Sequence, residues 1–186
     1  MAKVGQRVIL TEDQLSLTVE RLCQQLIENH NNFSQSILLG LQPRGVNFSK
    51  RIYSQLSKML KGTLPQYGVL DASFHRDDFR RSERLIQPLE TEIDFSVENK
   101  KVVLIDDVLY TGRSIRAAID TVMHMGRPSK IELLVLIDRR FSRDLPIQAD
   151  YVGKQIDSID SEKVKVTWKE KEGKTEIVLM QDKKKQ

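Results

Sequence analysis

The chain has 186 residues, of which 39% are hydrophobic and 30% charged, and its net charge is +4. This length and composition predict one soluble globular domain with a sizeable core, and they exclude a disordered or fibrous protein. No apolar run approaches the roughly 18 residues that a membrane span needs, and the net charge is too small to indicate nucleic-acid binding by itself. Because the chain has one cysteine, Cys23, and no apolar leader at its N-terminus, we expect a cytoplasmic protein without a membrane partner.

Helices and strands alternate in the first part of the chain. A capping-box pattern at Thr11 begins a helix that we expect to end near residues 29–32. A short buried strand follows at residues 37–39, and a loop at residues 40–45 leads from it into a second amphipathic helix. Residues 67–74 predict a third strand.

The later elements complete an α/β pattern. Residues 75–90 form a charged connection, which predicts a lid or binding loop, with a plain solvated charge run as the alternative. Residues 131–138 predict a buried strand, and residues 163–168 and 175–180 predict a hairpin. Strands that alternate with helices indicate a mostly parallel sheet.

The most informative stretch is residues 102–114. Four apolar residues run into Asp106 and Asp107, and a Thr-Gly turn then leads into a helix. Ligands of open α/β sheets bind beyond the carboxyl ends of the strands, and the unpaired N–H groups at a helix start attract anions. Two adjacent acids repel each other unless a ligand or cation engages them. The pattern therefore predicts a ribose phosphate site, with simple capping of the turn by the acids as the alternative.

The loop at residues 40–45 predicts a second anion site. Its backbone could bind pyrophosphate, and Arg44 could add charge-assisted donors. A plain turn made by proline and glycine is the alternative. His75 and His124 are isolated and lack metal-ligand spacing.

Residues 102–114 resemble the phosphoribosyl diphosphate (PRPP) signature of the type I phosphoribosyltransferases. The form Asp-Asp-Val-Leu-Tyr-Thr-Gly-Arg-Ser is similar to that of the bifunctional pyrimidine operon regulators and uracil phosphoribosyltransferases, the PyrR group. Further segments agree in order, namely residues 43–45, 74–78, 126–129, 145–154 and 161–164. The resemblance covers about residues 8–168.

The resemblance implies an α/β fold of the type I phosphoribosyltransferase kind. This fold has a mostly parallel central sheet flanked by helices, with a small hood and a C-terminal β-hairpin. We expect a single phosphoribosyltransferase domain over residues 1–186. Its core would span about residues 8–138, and the hood and hairpin about residues 139–181.

The implied reaction converts uracil and PRPP into UMP and pyrophosphate in a homodimer or higher oligomer. Mg²⁺ would enter with PRPP and be held mainly by it, without direct protein ligands. The implied catalytic residues are Asp106, Asp107, Arg76 and Asp77. The implied PRPP-binding residues are Asp106, Asp107, Val108, Leu109, Tyr110, Thr111, Gly112, Arg113 and Ser114. The implied pyrophosphate loop is Leu41, Gln42, Pro43, Arg44 and Gly45, and the implied base and hood residues are Asp138, Arg139 and Val152.

Tyr110 bears on the choice of base. In purine-salvage relatives, an aspartate usually occupies this place in the signature and reaches the purine ring. The tyrosine argues against hypoxanthine or guanine as the base. A phosphoribosyltransferase for another base, such as a purine, is one alternative.

Binding of leader RNA is the second activity that the resemblance implies. Relatives that bind RNA present basic side chains on the first helix and beside the hood. This chain offers Arg21, Arg140, Arg143 and Lys154, but Gln148 stands where a basic residue is usual. Because RNA affinity depends on neutralised phosphates, the loss of cations puts attenuation in doubt. The other alternative is an RNA-binding attenuator whose catalysis is vestigial.

Overall fold

The structure is a computed structural model, and it describes residues 6–72, 91–159, 161–169 and 173–181. The helices are α1 (Glu12–His30), α2 (Gly45–Met59) and α3 (Arg113–Met125). The strands are β1 (Gln6–Leu10), β2 (Ser36–Leu41), β3 (Gln66–Leu70), β4 (Lys101–Leu109), β5 (Lys130–Arg140), β6 (Tyr151–Asp157), β7 (Glu162–Thr167) and β8 (Glu176–Gln181).

The main sheet has five parallel strands in the order β3-β2-β4-β5-β6. Alternate residues of β4 face opposite sides of this sheet. Val103 and Ile105 pack in a core with α1 and α2, whereas Val102 and Leu104 pack in a second core with α3. A strand that is covered on both faces needs apolar residues at every position, which explains the continuous apolar run in the sequence. The predicted α/β fold is confirmed.

A second, antiparallel sheet has the order β1-β8-β7. Its strands β7 and β8 are the predicted hairpin. Val164, Ile177 and Leu179 of this sheet are buried in the same core as α1 and α2. The small sheet is therefore joined to the main sheet through a shared hydrophobic core.

The sequence analysis missed two strands, and both lie at sheet edges. β1 is short, and β6 contains Lys154 and Gln155, which are exposed, so neither strand has the apolar run that marks a central strand. The base and hood residue Val152 lies in β6, where it pairs with Val135 of β5. β6 extends the parallel sheet beyond β5, so part of the segment after residue 139 belongs to the main sheet.

Other local predictions can be compared directly with the structure. The capping box is present: the Gln14 N–H donates to Thr11 Oγ1 at 3.4 Å, and the Thr11 N–H donates to Gln14 Oε1 at 3.1 Å. The third strand ends at Leu70, earlier than predicted. Residues 75–90, including Arg76 and Asp77, lie outside the described residues. No helix in the part of the chain that the structure describes is long and apolar enough to cross a membrane.

Candidate active site

The acidic pair lies inside β4 rather than after it. The last register pair between β2 and β4 joins Gly40 to Ile105, while the pairing of β4 with β5 continues to Leu109. Asp106 and Asp107 therefore lie just beyond the last residues at which β4 pairs with β2. This is the carboxyl edge of the sheet, as the sequence predicted.

The carboxyl groups of Asp106 and Asp107 interact with each other, and burial removes much of their hydration. Asp107 is buried, Asp106 is partly exposed, and the Asp107 N–H donates to Asp106 Oδ1 at 2.9 Å. Burial raises the pKa of both carboxyls, and the charge of Asp107 raises the pKa of Asp106 further. The positive charge of Arg44 acts in the opposite direction on both pKa values. The pair is thus arranged to gain from hydroxyl donors or a cation.

The predicted pyrophosphate loop packs directly against these acids. A Cβ atom on Gly45 would lie 2.6 Å from the Ile105 carbonyl oxygen and 3.0 Å from Asp106 Oδ1, so only glycine fits there. Gly45 is also the first residue of α2, whose start has no side-chain cap and no acidic residue in its first turn. By contrast, α1 starts with the Thr11 capping box and has two acids in its first turn. The α2 start is left open to an anion.

The turn after β4 forms a second open helix start, on the opposite face of the sheet. Gly112 caps α3 with a φ of 89°, and neither a capping side chain nor an acid occupies its first turn. The segment around Ile147 closes over this turn, because the N–H groups of Asp144 and Leu145 donate to the Thr111 carbonyl at 3.0 and 3.2 Å. The acidic pair therefore lies between two helix N-termini.

Two of the residues assigned to the base, Asp138 and Arg139, lie near the end of β5, whereas Val152 lies near the start of β6 and pairs with Val135. The Arg139 guanidinium lies 4.0 Å from the centroid of the Tyr110 ring, and its Nε donates to Ser158 Oγ at 2.8 Å. The carboxylate of Asp138 accepts a hydrogen bond from Arg143. The carbonyl of Val152 accepts a hydrogen bond from Arg21 at 3.1 Å.

Arg143 has a structural role that the sequence did not predict. Its guanidinium donates to the carbonyl oxygens of Tyr110 at 2.5 Å, Arg139 at 2.9 Å and Ile147 at 3.0 Å. It also pairs with Asp138. Arg143 thus ties the segment after β5 to the signature turn.

The other cations considered for RNA are also engaged within the chain. Arg21 donates to the carbonyl of Gly153 at 2.7 Å, and Lys154 donates to the carbonyl of Ile9 at 3.0 Å. Arg140 forms an exposed ion pair with Asp157 at 2.7 Å. Arg21 satisfies carbonyls of the edge strand β6, which is a structural reason for a cation on this face of α1.

A cavity of about 380 Å³ adjoins Asp107. Its walls come from the start of α2 and from β7, which no sequence motif had connected with the site. Within the described ranges, no group of three or more His, Cys, Asp or Glu residues is arranged to hold a metal ion.

Asp106→Asn should stabilise the ligand-free protein. Because the pKa of Asp106 is raised above its ordinary value of 3.8, the folded protein binds this proton more tightly than the unfolded chain. The wild type therefore loses stability as the pH rises through the folded-state pKa, and the amide does not. We expect the variant to melt about 2–4 °C higher at pH 8, which corresponds to roughly 1 kcal/mol, with the difference vanishing near pH 3.5. The exposed Asp94→Asn serves as the control, and equal melting of D106N and wild type at pH 8 would contradict the assignment.

Gly45→Ala should destabilise the fold, because its Cβ would overlap the backbone of β4. We expect a loss of about 1–3 kcal/mol in the free energy of unfolding by denaturant titration. Gly62→Ala is the matched control, since nothing lies within 4 Å of the added atom there. An unchanged stability for G45A would show that the loop does not pack on the acids as described.

Comparisons with known proteins show the family of this chain. Residues 6–171 match the phosphoribosyl transferase domain family. A bifunctional protein PyrR from Caldicellulosiruptor bescii is 41% identical over 173 residues, which cover 93% of this chain and 94% of that protein. Another from Deinococcus radiodurans is 40% identical over 176 residues, covering 94% of this chain and 93% of that protein.

Solved structures show the same fold. A hypoxanthine phosphoribosyltransferase from Staphylococcus aureus has a TM-score of 0.71 at 20% identity and matches over 100% of both chains. The one from Trypanosoma cruzi has a TM-score of 0.75 at 16% identity and covers 95% of this chain and 96% of that chain. The likeness to these two enzymes concerns the fold alone. On its sequence relatives and its domain match, the chain belongs to the phosphoribosyltransferases and, among them, to the family of bifunctional PyrR proteins.

Proposed function

We propose that this chain is a uracil phosphoribosyltransferase that makes UMP and pyrophosphate from uracil and PRPP. The observation that carries the proposal is the acidic pair of β4, set between two uncapped helix starts on opposite faces of the sheet. PRPP has vicinal hydroxyls between a phosphate and a diphosphate, so its chemistry matches this order of groups.

Each part of the site has a role in this proposal. Asp106 and Asp107 accept hydrogen bonds from the ribose hydroxyls. The backbone N–H groups at residues 111–114, at the start of α3, bind the 5′-phosphate. The loop at residues 41–45 and the start of α2 bind the diphosphate, and Arg44 adds its charge there.

The same arrangement favours the transition state. Positive charge develops on the ribose and negative charge on the departing pyrophosphate. The buried acids stabilise the first, and the α2 start with Arg44 stabilises the second, without reorganisation of solvent. This chemistry needs no covalent nucleophile from the protein.

The residues present fit Mg²⁺ that enters with PRPP. Hard cations bind carboxylate and phosphate oxygens together, and burial raises the pKa of both Asp106 and Asp107, so a nearby cation would stabilise their ionised forms. Mg²⁺ would be held mainly by PRPP, next to these two carboxylates, and would neutralise charge on the diphosphate. Arg76 and Asp77 keep their proposed role in a lid over the site.

Tyr110 supports the choice of a pyrimidine. Its ring is stacked on the buried guanidinium of Arg139, so the side chain is held in place rather than free to swing away. A phenol offers a purine ring no carboxylate acceptor. We assign the base to the side of the site formed by Tyr110, Asp138, Arg139 and Val152, in a cytoplasmic enzyme that assembles as a homodimer or higher oligomer.

A base-panel assay tests the proposal. Purified protein with PRPP and Mg²⁺ should release pyrophosphate with uracil, and at least about a hundredfold more slowly with hypoxanthine or guanine, because a buried polar site discriminates strongly against unmatched bases. Asp107→Asn should lower kcat/KM for PRPP by about 10²–10³-fold while the protein stays folded by circular dichroism. Absence of pyrophosphate with uracil, or faster reaction with a purine, would refute the proposal.

We extend the proposal to UMP-responsive regulation of pyrimidine genes through leader RNA, because the relatives named above are bifunctional. Of the four cations considered for RNA, Arg140 has an exposed ion pair, whereas Arg143 is mostly buried in a network of carbonyls. Arg140 is therefore the better candidate for an RNA contact.

The two arginines should behave differently when each is replaced by glutamine. Arg140→Gln should weaken binding to leader RNA severalfold at low salt, in the presence of UMP, and change the melting temperature little. Arg143→Gln should lower the melting temperature by several degrees, because it leaves buried carbonyls unpaired. Gel-shift titrations and thermal melts measure both effects. No RNA binding by the wild type at low salt would refute the regulatory role.

A further inference from the structure

The cavity beside Asp107 has walls from two distant parts of the chain. One wall is the start of α2 and the other is β7, which is an edge strand of the small sheet. The polar lining residues are Arg44, Asn47, Asp107, Lys163 and Lys165. Its volume, about 380 Å³, lies in the range typical of small-molecule sites.

Three of these polar side chains are uncommitted. Arg44, Asn47 and Lys163 form no hydrogen bond and no ion pair with any residue that the structure describes. Arg140 and Arg143, by contrast, are both bound within the chain. Uncommitted cations that converge on one cavity from separate elements are suited to an anion that the protein binds from solution.

The pairing of β7 with β8 fixes the backbone positions of its two lysines. Val164, between the two lysines, is buried in the shared core, so Lys163 and Lys165 project from the opposite face of the strand. Trp168, which follows β7, is packed under the guanidinium of Arg51 at 5.0 Å from the ring centroid. Val164, Val166 and Trp168 line the cavity as well, so β7 borders it with its apolar side chains and its two lysines together.

We propose that Asn47 and Lys163 complete the pyrophosphate site, so that the diphosphate is held between the α2 start and β7. This inference rests on the proposed function, and it assigns the small sheet a direct part in binding the leaving group. Lysine is a compact point charge, and the amide of Asn47 supplies a neutral donor beside Arg44. UMP has no diphosphate, so its binding does not involve Lys163.

Substitutions that remove one contact each test the inference. Isothermal titration with Mg-pyrophosphate and, separately, with UMP should be performed on the wild type, Lys163→Gln, Asn47→Ala and Lys163→Arg. Lys61→Gln is the matched control, because this exposed lysine follows α2 away from the cavity. Lys163→Gln should bind pyrophosphate about tenfold more weakly and show a similar rise in KM for PRPP, as expected for one lost charge-assisted contact. Asn47→Ala should lose less, and Lys163→Arg should retain most of the affinity.

The two ligands separate the possible outcomes. Unchanged pyrophosphate affinity in Lys163→Gln, or an equal loss of UMP affinity, overturns the inference even if the wild type makes UMP. If the wild type makes no UMP from uracil but Lys163→Gln still loses pyrophosphate affinity, the inference stands and the proposed reaction fails. A loss of pyrophosphate affinity in Lys61→Gln as large as in Lys163→Gln would also overturn the inference, because the effect would then come from the overall charge of the protein and not from a specific contact.

Discussion

Two adjacent carboxyl groups at the mouth of a buried parallel strand are the constraint on which this structure depends. Burial and mutual repulsion disfavour the ionised pair, as the raised pKa of both Asp106 and Asp107 shows. The fold surrounds them with positive potential from the two open helix starts and Arg44, rather than with committed partners. The buried acids thus destabilise the ligand-free protein, and binding of a ribose diphosphate with its cation would offset this loss of stability. Such a cost is expected where a site is organised for a charged ligand.

Strand order makes this arrangement possible. Because β2 stops pairing at Ile105 while β5 continues alongside β4, the acids open toward the side where α2 begins. The contact of Gly45 with the Ile105 carbonyl then brings the α2 start as close as backbone atoms allow. The α3 start follows β4 directly and lies on the other face. In the proposed function, one strand end therefore serves both the 5′-phosphate and the diphosphate.

Local patterns in the sequence predicted the parallel core, the signature turn and the loop before α2, since apolar runs, glycines and adjacent acids act over a few residues. The edge strands β1 and β6 were missed because an edge strand needs neither an apolar run nor strict alternation. Contacts between distant segments left no local trace either. Arg143 looked like a surface cation in the sequence, yet it bonds to the carbonyl of Tyr110, 33 positions away. For the same reason, the sequence did not show that Lys163 lies beside the cavity at Asp107.

The hydrogen bonds of Arg143 connect the base side of the site with the turn that precedes α3. Its guanidinium bonds to the Tyr110 carbonyl in the signature turn and to the Asp138 carboxylate on the base side. The Thr111 carbonyl, next in the same turn, accepts the N–H groups of Asp144 and Leu145. A shift of the segment after β5 would therefore break hydrogen bonds to the turn that starts α3. Since a buried carbonyl without a partner costs free energy, these hydrogen bonds fix the position of the base side relative to the phosphate side. With the base assigned as proposed, recognition of a small pyrimidine would draw on the same hydrogen bonds that shape the turn before α3.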